Sequence, residues 1–250
     1  RIYFSGRDNK GISHIGYAEV DFNNPYEVLE YSLEPVLSIG DLGCFDDNGV
    51  TPSCVVDHED KTYMYYIGWN KTSRVRMSLV TGLAISDDRG KSFKRVSKAP
   101  LLSRTNSEPY NIVTGPSVMI DNSIWRMWYV SCLGWVNEDL PMYNVKYAES
   151  NDGINWERKG QVCIDFQSLD EHSIARPFVI KEHEKYKMWY SYKGSDYRIG
   201  YAESLDGINW ERMDDQVGID VSKDDFDSRM IEFPNVFKSN DKYYMIYSGN

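Results

Sequence analysis

The stretch Arg176-Pro177-Phe178-Val179-Ile180 is followed by Lys187-Met188-Trp189-Tyr190-Ser191, then Ile199-Gly200-Tyr201-Ala202-Glu203-Ser204 and Asp206-Gly207-Ile208-Asn209-Trp210, and its reading decides the fold. A proline opens a short apolar strand, a basic turn follows, and a Met-aromatic-Tyr strand answers it. A polar loop then leads to a Gly-Tyr-Ala strand and a tight Asp-Gly turn that ends on an aromatic. This is one unit of four short antiparallel strands, and the rest of the chain repeats it. The opening prolines Pro52, Pro116, Pro177 and Pro234 are 64, 61 and 57 residues apart, and Met64, Met127, Met188 and Met245 follow them by 12, 11, 11 and 11. Such units repeated around an axis make a β-propeller.

The third strand is marked by Tyr17, Leu83, Tyr147 and Tyr201, and the fourth closes on Phe93, Trp156 and Trp210. Between them stand the turns Ser86-Asp87-Asp88-Arg89-Gly90, Ser150-Asn151-Asp152-Gly153 and Ser204-Leu205-Asp206-Gly207. These resemble the Asp-boxes of sialidase-type propellers, where aspartate and glycine hold a turn. Ile2-Tyr3-Phe4-Ser5-Gly6 matches Met245-Ile246-Tyr247-Ser248-Gly249, so second strands number five while proline-led inner strands number four. The expected architecture is all-β: a five-bladed β-propeller of four-stranded antiparallel blades, forming a single domain over 1–250. The blades fall at about 1–30, 49–97, 112–160, 174–214 and 230–250, the first and last incomplete. A four-bladed ring would leave the segment after Lys238 surplus, although it reads as a good strand.

The net charge of −10 argues against a nucleic-acid groove. It leaves room for an anionic substrate, because a local group of arginines outweighs the global sign. Aromatics make up 14% of the chain, with 19 Tyr and 7 Trp, which suits sheet faces and sugar-stacking clefts alike. Cys44, Cys54, Cys132 and Cys163 form no CxxC pair and, with four scattered His, show no metal spacing; they read as buried free thiols, and neither metal nor cofactor is expected. No apolar run approaches the roughly 18 residues of a membrane span, and no signal peptide stands at Arg1, so a cytoplasmic protein is expected.

Four long connections, 31–51, 98–115, 161–176 and 215–233, lead into the inner strands. In an up-and-down blade they share a rim with the turns that join strands two and three. That rim collects Arg7-Asp8, His14, Trp69-Asn70, Trp135 and Tyr192-Lys193, whereas the opposite one receives short turns such as Glu182-His183-Glu184 and Ser239-Asn240-Asp241. The rich rim is the expected site.

The run Phe45-Asp46-Asp47-Asn48-Gly49-Val50-Thr51-Pro52, the strand end Tyr66-Ile67-Gly68-Trp69-Asn70 and the repeated Tyr-Ala-Glu-Ser with Asp-Gly-Ile-Asn-Trp resemble the five-bladed glycosidase propellers of the arabinanase, levansucrase and invertase superfamily. They are closer still to bacterial relatives grouped with surface-polysaccharide genes. The resemblance implies a central funnel in which a sugar is bound and cut by acids at the starts of inner strands, and relatives that extend past both ends of this sequence. Such hydrolases place Asp directly before the inner-strand proline in two blades and Glu shortly before it in another. Here the residues before the prolines are Thr51, Gly115, Arg176 and Phe233, and Ile231-Glu232-Phe233-Pro234 alone resembles the Glu-x-Pro signature of the general acid.

Glycoside cleavage needs one protonated carboxyl to help the leaving oxygen and one carboxylate as base or nucleophile, roughly 5–5.5 Å apart for retention or 6.5–9.5 Å for inversion. Asp47 is the expected base with Asp46 as substitute, and Glu232 the expected acid with Glu171 as substitute. Each is equally readable as a solvated loop acid. Arg176 enters a core strand and so either pairs with Glu171 or Glu232 or grips an anionic group of the substrate. Trp69 and Trp135 are placed to stack on a sugar ring or to pack the rim, Tyr110 and Asn111 to bind hydroxyls or shape a loop. Asp8 and His172 complete the expected substrate-binding set. Arg7, Arg104, Arg176 and Arg229 together would mark a phosphate-bearing activated donor. A hydrolase or transglycosylase acting on a glycan leads; a sugar-transferring enzyme in surface-polysaccharide biosynthesis and a non-catalytic glycan- or protein-binding propeller are the alternatives.

Overall fold

A computed structural model describes residues 1–239 and 242–250, so the turn expected at Ser239-Asn240-Asp241 lies outside the described residues at its last two positions. The described chain is built of strands with a single 3-10 turn, Asp214–Gln216, and no helix is long and apolar enough to cross a membrane. Contacts divide it into two compact units, Arg1–Arg104 with Asn111–Gly115, and Thr105–Tyr110 with Pro116–Asn250.

In the first unit β1 (Ile2–Arg7), β2 (Ser13–Val20) and β3 (Val28–Tyr31) form a three-stranded antiparallel group. A four-stranded group follows: β4 (Val50–His58), β5 (Lys61–Lys71), β6 (Met77–Ser86) and the short β7 (Lys94–Arg95). Leu79 and Val80 of β6 run parallel to Ile112 and Val113, the start of β8 (Ile112–Asp121). In the second unit β8 continues against β9 (Ile124–Asn137), which pairs β10 (Leu140–Ser150) and then β11 (Glu157–Ile164). The next group is β12 (Ser173–Glu182), β13 (Lys185–Lys193), β14 (Tyr197–Ser204) and β15 (Glu211–Arg212), and the last is the pair β16 (Ile231–Ser239) and β17 (Lys242–Gly249). The strand groups coincide with the sequence repeats.

The inner strands begin earlier than the sequence suggests. Pro52, Pro116, Pro177 and Pro234 lie inside β4, β8, β12 and β16 rather than at their first residues. The pairing slips beside three of them, between Pro52 and Cys54, Ala175 and Phe178, and Glu232 and Asn235. A bulge leaves one residue outside the ladder, and proline, which has no N–H to offer, is the residue that loses least there.

The Met-aromatic-Tyr repeats do more than pack the blades. The tyrosine of three of the four donates its phenol to an acid from the connection before its own inner strand: Tyr66 to Asp46 Oδ2 at 2.9 Å, Tyr129 to Glu108 Oε1 at 3.0 Å, and Tyr247 to Asp227 Oδ2 at 2.6 Å. The separations along the chain are 20, 21 and 20 residues. An arginine from the fourth strand closes the arrangement: Arg95 Nε donates to Asp46 at 2.7 Å and Arg158 Nη1 to Glu108 at 2.9 Å. In the next group Arg212 holds both Glu171 (2.8 and 3.1 Å) and Asp214 (2.6 Å), and Tyr190 donates to Asp214.

These clamps explain the glycine of Gly-Tyr-Ala. The Tyr190 ring crosses strand three, and a Cβ at Gly200 would sit 2.5 Å from it; Gly82 lies under Tyr66 in the same way. In the third group the paired position is Lys146, whose ammonium joins the clamp 3.4 Å from Glu108.

The middle aromatic of the repeat reaches a neighbouring group instead. Tyr3 donates to the Gly90 carbonyl at 2.8 Å, and Trp128 Nε1 to that of Gly207 at 2.7 Å. Those glycines sit in the Asp turns, which close internally: Asp152 and Asp206 each accept two backbone N–H groups and one asparagine amide, while Ser150 and Ser204 accept the glycine N–H. Backbone donors hold both carboxyls far below the ordinary carboxylate range. The aspartates are turn-formers, as expected.

Removing the cation of a buried clamp strands its carboxylate, which costs roughly 3–5 kcal/mol, whereas deleting a phenol that shares an acid with other donors costs about 1–2 kcal/mol. Arg95→Met, which takes the cation from Asp46, is therefore expected to lower the urea midpoint of unfolding more than Tyr66→Phe. Equal midpoints for the two variants would show that the cation is not what sustains Asp46.

Candidate active site

Most of the expected acids are committed to the scaffold. Asp46 is 1% exposed and bound by Tyr66 and Arg95; its Oδ1 has no hydrogen-bond partner among the described residues. Asp47 accepts the Gly43 N–H at 2.8 Å and the Asn70 amide at 2.6 Å. Glu171 is gripped by both terminal nitrogens of Arg212 and also accepts the Gln167 N–H.

Glu232 differs. It sits in β16 beside the bulge, half-buried, and makes no ion pair within 4 Å among the described residues. Burial pushes its carboxyl above the ordinary range, and the positive charges of Lys193 and Arg176 offset that only in part. Two phenols, those of Tyr143 and Tyr197, share a hydrogen bond of 2.8 Å. Burial first, and the nearby Glu232 charge as well, raise both phenols, so they act as neutral hydroxyl groups.

His172 is fixed on both ring nitrogens. Its Nε2 lies 3.0 Å from the Gly194 carbonyl, which can only accept, so the neutral ring carries its proton there and Nδ1 accepts from Ser173 at 2.7 Å. The histidine orients Ser173.

The backbone is bent where this cluster forms. Arg176 and Phe233 have φ of 51° and 60°, conformations that cost a non-glycine residue on the order of 1–3 kcal/mol. Gly115, at the corresponding place before Pro116, has φ of 60° without that cost. The Phe233 N–H donates to Ser191 Oγ at 2.7 Å, and the Arg176 guanidinium lies 5.4 Å from the Phe233 ring centre. Lys193 stands 5.0 Å from the centre of the Tyr197 ring.

The other expected site residues are dispersed. Arg229 is exposed and pairs with Asp196 at 3.0 Å. Arg7 and Arg104 are exposed in the first unit, and Asp8 caps its own turn through the N–H groups of Lys10 and Ile12, 3.5 Å from His14. Asn111 donates to the Met77 carbonyl at 2.7 Å, a structural bond. Tyr110 is 41% exposed, and Trp135 is partly buried at the end of β9. Trp69 buries its Nε1 with no hydrogen-bond partner among the described residues. No three His, Cys, Asp or Glu side chains gather among the described residues to hold a metal.

Tyr143 and Tyr197 escaped the sequence reading, although both stand four residues before the third-strand markers Tyr147 and Tyr201. Lys193 was visible only as part of the rim.

No protein-family profile matches the chain. The uncharacterised protein Rv1502 of Mycobacterium tuberculosis is 39% identical over 252 residues, covering 100% of this chain and 83% of its own length. The 1,2-β-oligomannan phosphorylase of a Thermoanaerobacter species is 37% identical over 78 residues, 31% of this chain and 24% of that one. Among solved structures, a thermostable family-43 glycoside hydrolase superposes with a TM-score of 0.71 at 20% identity, covering 94% of this chain and 75% of that one. The GH32 β-fructofuranosidase of Bombyx mori gives 0.69 at 17% identity over 95% and 48% of the two chains. A member of the GH130 family of mannoside phosphorylases gives 0.61 at 20% over 82% and 60%. At such identities the likeness carries the fold, which is that of the propeller glycosidases. The chain belongs to the same family as the mycobacterial protein Rv1502.

Proposed function

We propose that the protein is a carbohydrate-active enzyme that cleaves a glycosidic bond, with Glu232 as the general acid. The observation that carries this reading is the contrast among the expected acids: Asp46 and Glu171 are neutralised by arginine clamps, whereas Glu232 is half-buried, held by no ion pair among the described residues, and raised by burial. A carboxyl of that kind keeps its proton at a pH where ordinary glutamates have lost theirs. As the bond between the anomeric carbon and the leaving oxygen breaks, the proton passes from Glu232 to that oxygen. Glu232 is left as a carboxylate beside Lys193 and Arg176, which stabilise the charge it acquires.

In the first unit, Asp47 is held by neutral donors only. Its two oxygens each accept one donor, which leaves lone pairs on both. Asp46 differs, since Arg95 and Tyr66 occupy it and only 1% of the residue is exposed. The neutral phenols of Tyr143 and Tyr197 are donors for sugar hydroxyls.

Glu232→Gln keeps the shape and removes the proton. On a glycan with a poor leaving group it is expected to lower kcat by about 10²–10⁴-fold. On an aryl glycoside whose phenolate needs no protonation, the rate should stay within severalfold of the parent. An equal loss on both substrates would mean that Glu232 does not protonate the leaving group. Product analysis with inorganic phosphate present separates hydrolysis, which gives free sugar, from phosphorolysis, which gives a sugar 1-phosphate.

The same carboxyl sets a pH signature in stability. Its folded pKa is raised above the ordinary 4.5, so its contribution is fully present below that pH and is lost as pH rises through the folded value. The melting temperature of the parent relative to Glu232→Gln should therefore fall from about pH 4.5 upward and then level off. A difference that grows with pH would reverse the sign of the assignment.

A further inference from the structure

We propose that Lys193 is the positioning residue of the site: its ammonium, held on the ring of Tyr197, sets the strength of Glu232 as an acid without pairing with it. The proposal rests on the reading of Glu232 as the general acid and names what governs that acid.

Strand register lays out the cluster. Tyr143 of β10, Ser173 of β12, Lys193 of β13 and Tyr197 of β14 stand at paired positions across four neighbouring strands. At the two ends of that row the phenols of Tyr143 and Tyr197 meet at 2.8 Å, and the Phe233 ring centre lies 6.1 Å from that of Tyr197. The Tyr197 ring is thereby fixed at its hydroxyl and flanked by a second ring, and the Lys193 ammonium lies 5.0 Å from its centre. β16 is fastened to the same place, because the Phe233 N–H donates to Ser191 Oγ at 2.7 Å. Ser191 precedes Lys193 by two residues and so shares its face of β13, and Glu232 directly precedes Phe233. Lys193 therefore stands at the junction that carries Glu232, yet its ammonium makes no ion pair or hydrogen bond among the described residues.

Such a separation is what a general acid requires. A cation in contact, as Arg95 is with Asp46 at 2.7 Å, makes a carboxylate one half of a structural pair. With no cation near it, a half-buried carboxyl holds its proton too tightly to release it. Coulomb attraction falls with distance, so an ammonium outside ion-pair range lowers the cost of the ionised form and stops short of enforcing it. The π face of Tyr197 attracts the ammonium and keeps it from swinging across to Glu232. Four groups from four strands act at that carboxyl: Lys193 and, less strongly, Arg176 favour its ionised form, and the neutral phenols of Tyr143 and Tyr197 lie beside it. Burial opposes both cations and prevails, so the acid stays protonated until a leaving oxygen takes its proton.

The experiment reads the carboxyl directly and needs no turnover. The protein is isotope-labelled at the glutamate side-chain carboxyl carbons and titrated by NMR, the Glu232 resonance being the one that Glu232→Gln removes. Lys193→Met takes away a cation that favours the carboxylate, so it is expected to raise the titration midpoint of that resonance by at least about half a pH unit. Lys193→Arg keeps the charge and the contact with the ring, and is expected to hold the midpoint within about 0.2 unit of the parent. Lys193→Gln repeats the test if Lys193→Met does not fold. A lysine with a merely structural role would change the melting temperature and leave the midpoint in place. The proposal is overturned if the neutral variants leave the midpoint unmoved or lower it, or if Lys193→Arg shifts it as far as they do. The pH profile of kcat on the glycan used for Glu232→Gln then separates the two readings. A basic limb that moves upward with the midpoint bears out both. A midpoint that moves while the limb stays upholds the assignment of Lys193 and shows that Glu232 is not the acid of the reaction.

Discussion

The structure depends on the pairing of a buried carboxylate with a tyrosine from the second strand and an arginine from the fourth. A carboxylate removed from water is costly unless charge and hydrogen bonds replace its hydration, and here both arrive from strands distant in sequence. Asp46 receives Tyr66 and Arg95; Glu108 receives Tyr129, Ser131, Lys146 and Arg158; Glu171 and Asp214 share Arg212. The Asp46 and Glu108 clamps join a long irregular connection to the second and fourth strands of their own group, and Arg212 ties the connection 161–176 to the fourth. The clamp adds side-chain anchors to the backbone hydrogen bonds that hold those connections, such as Gly40 N–H to the Asp46 carbonyl. It also dictates composition, because a ring lying across strand three leaves space for glycine at Gly82 and Gly200, or for a lysine that joins the pairing at Lys146.

This constraint determines which acids remain for chemistry. An acid that must hold a connection in place cannot cycle its proton without loosening that connection. Glu232 lies beyond this rule because it stands on the inner strand itself, two residues before Pro234, where the repeat otherwise has Val50, Thr114 and Ala175. No clamp tyrosine reaches that position. The acid of the last group's clamp is Asp227, which Tyr247 binds, and Glu232 is left to burial and to the two cations that act on it. The residues before Pro177 and Pro234, beside the bulges, take a left-handed bend, and in this way Arg176 and Phe233 come to stand beside Glu232.

The sequence by itself determined the strands, their grouping and the Asp turns, because these rest on local rules. Alternation, turn residues and a repeat of about sixty residues are read along the chain without knowledge of what packs on what. Even the clamp arginines are legible in retrospect: Arg95, Arg158 and Arg212 each stand two residues after the closing aromatic Phe93, Trp156 or Trp210. The acids they meet are not. Asp46, Glu108 and Glu171 precede their prolines by 6, 8 and 6 residues, in connections of unequal length, so no fixed spacing separates them from the solvated acids around them. Only the tertiary structure decided that Asp46 and Glu171 are held by arginine while Glu232 is not, and that Tyr143, Tyr197 and Lys193 gather beside it. The physical reason is that the charge state of a carboxyl is set by its burial and by cations brought from other strands, and neither is a property of its neighbours in sequence.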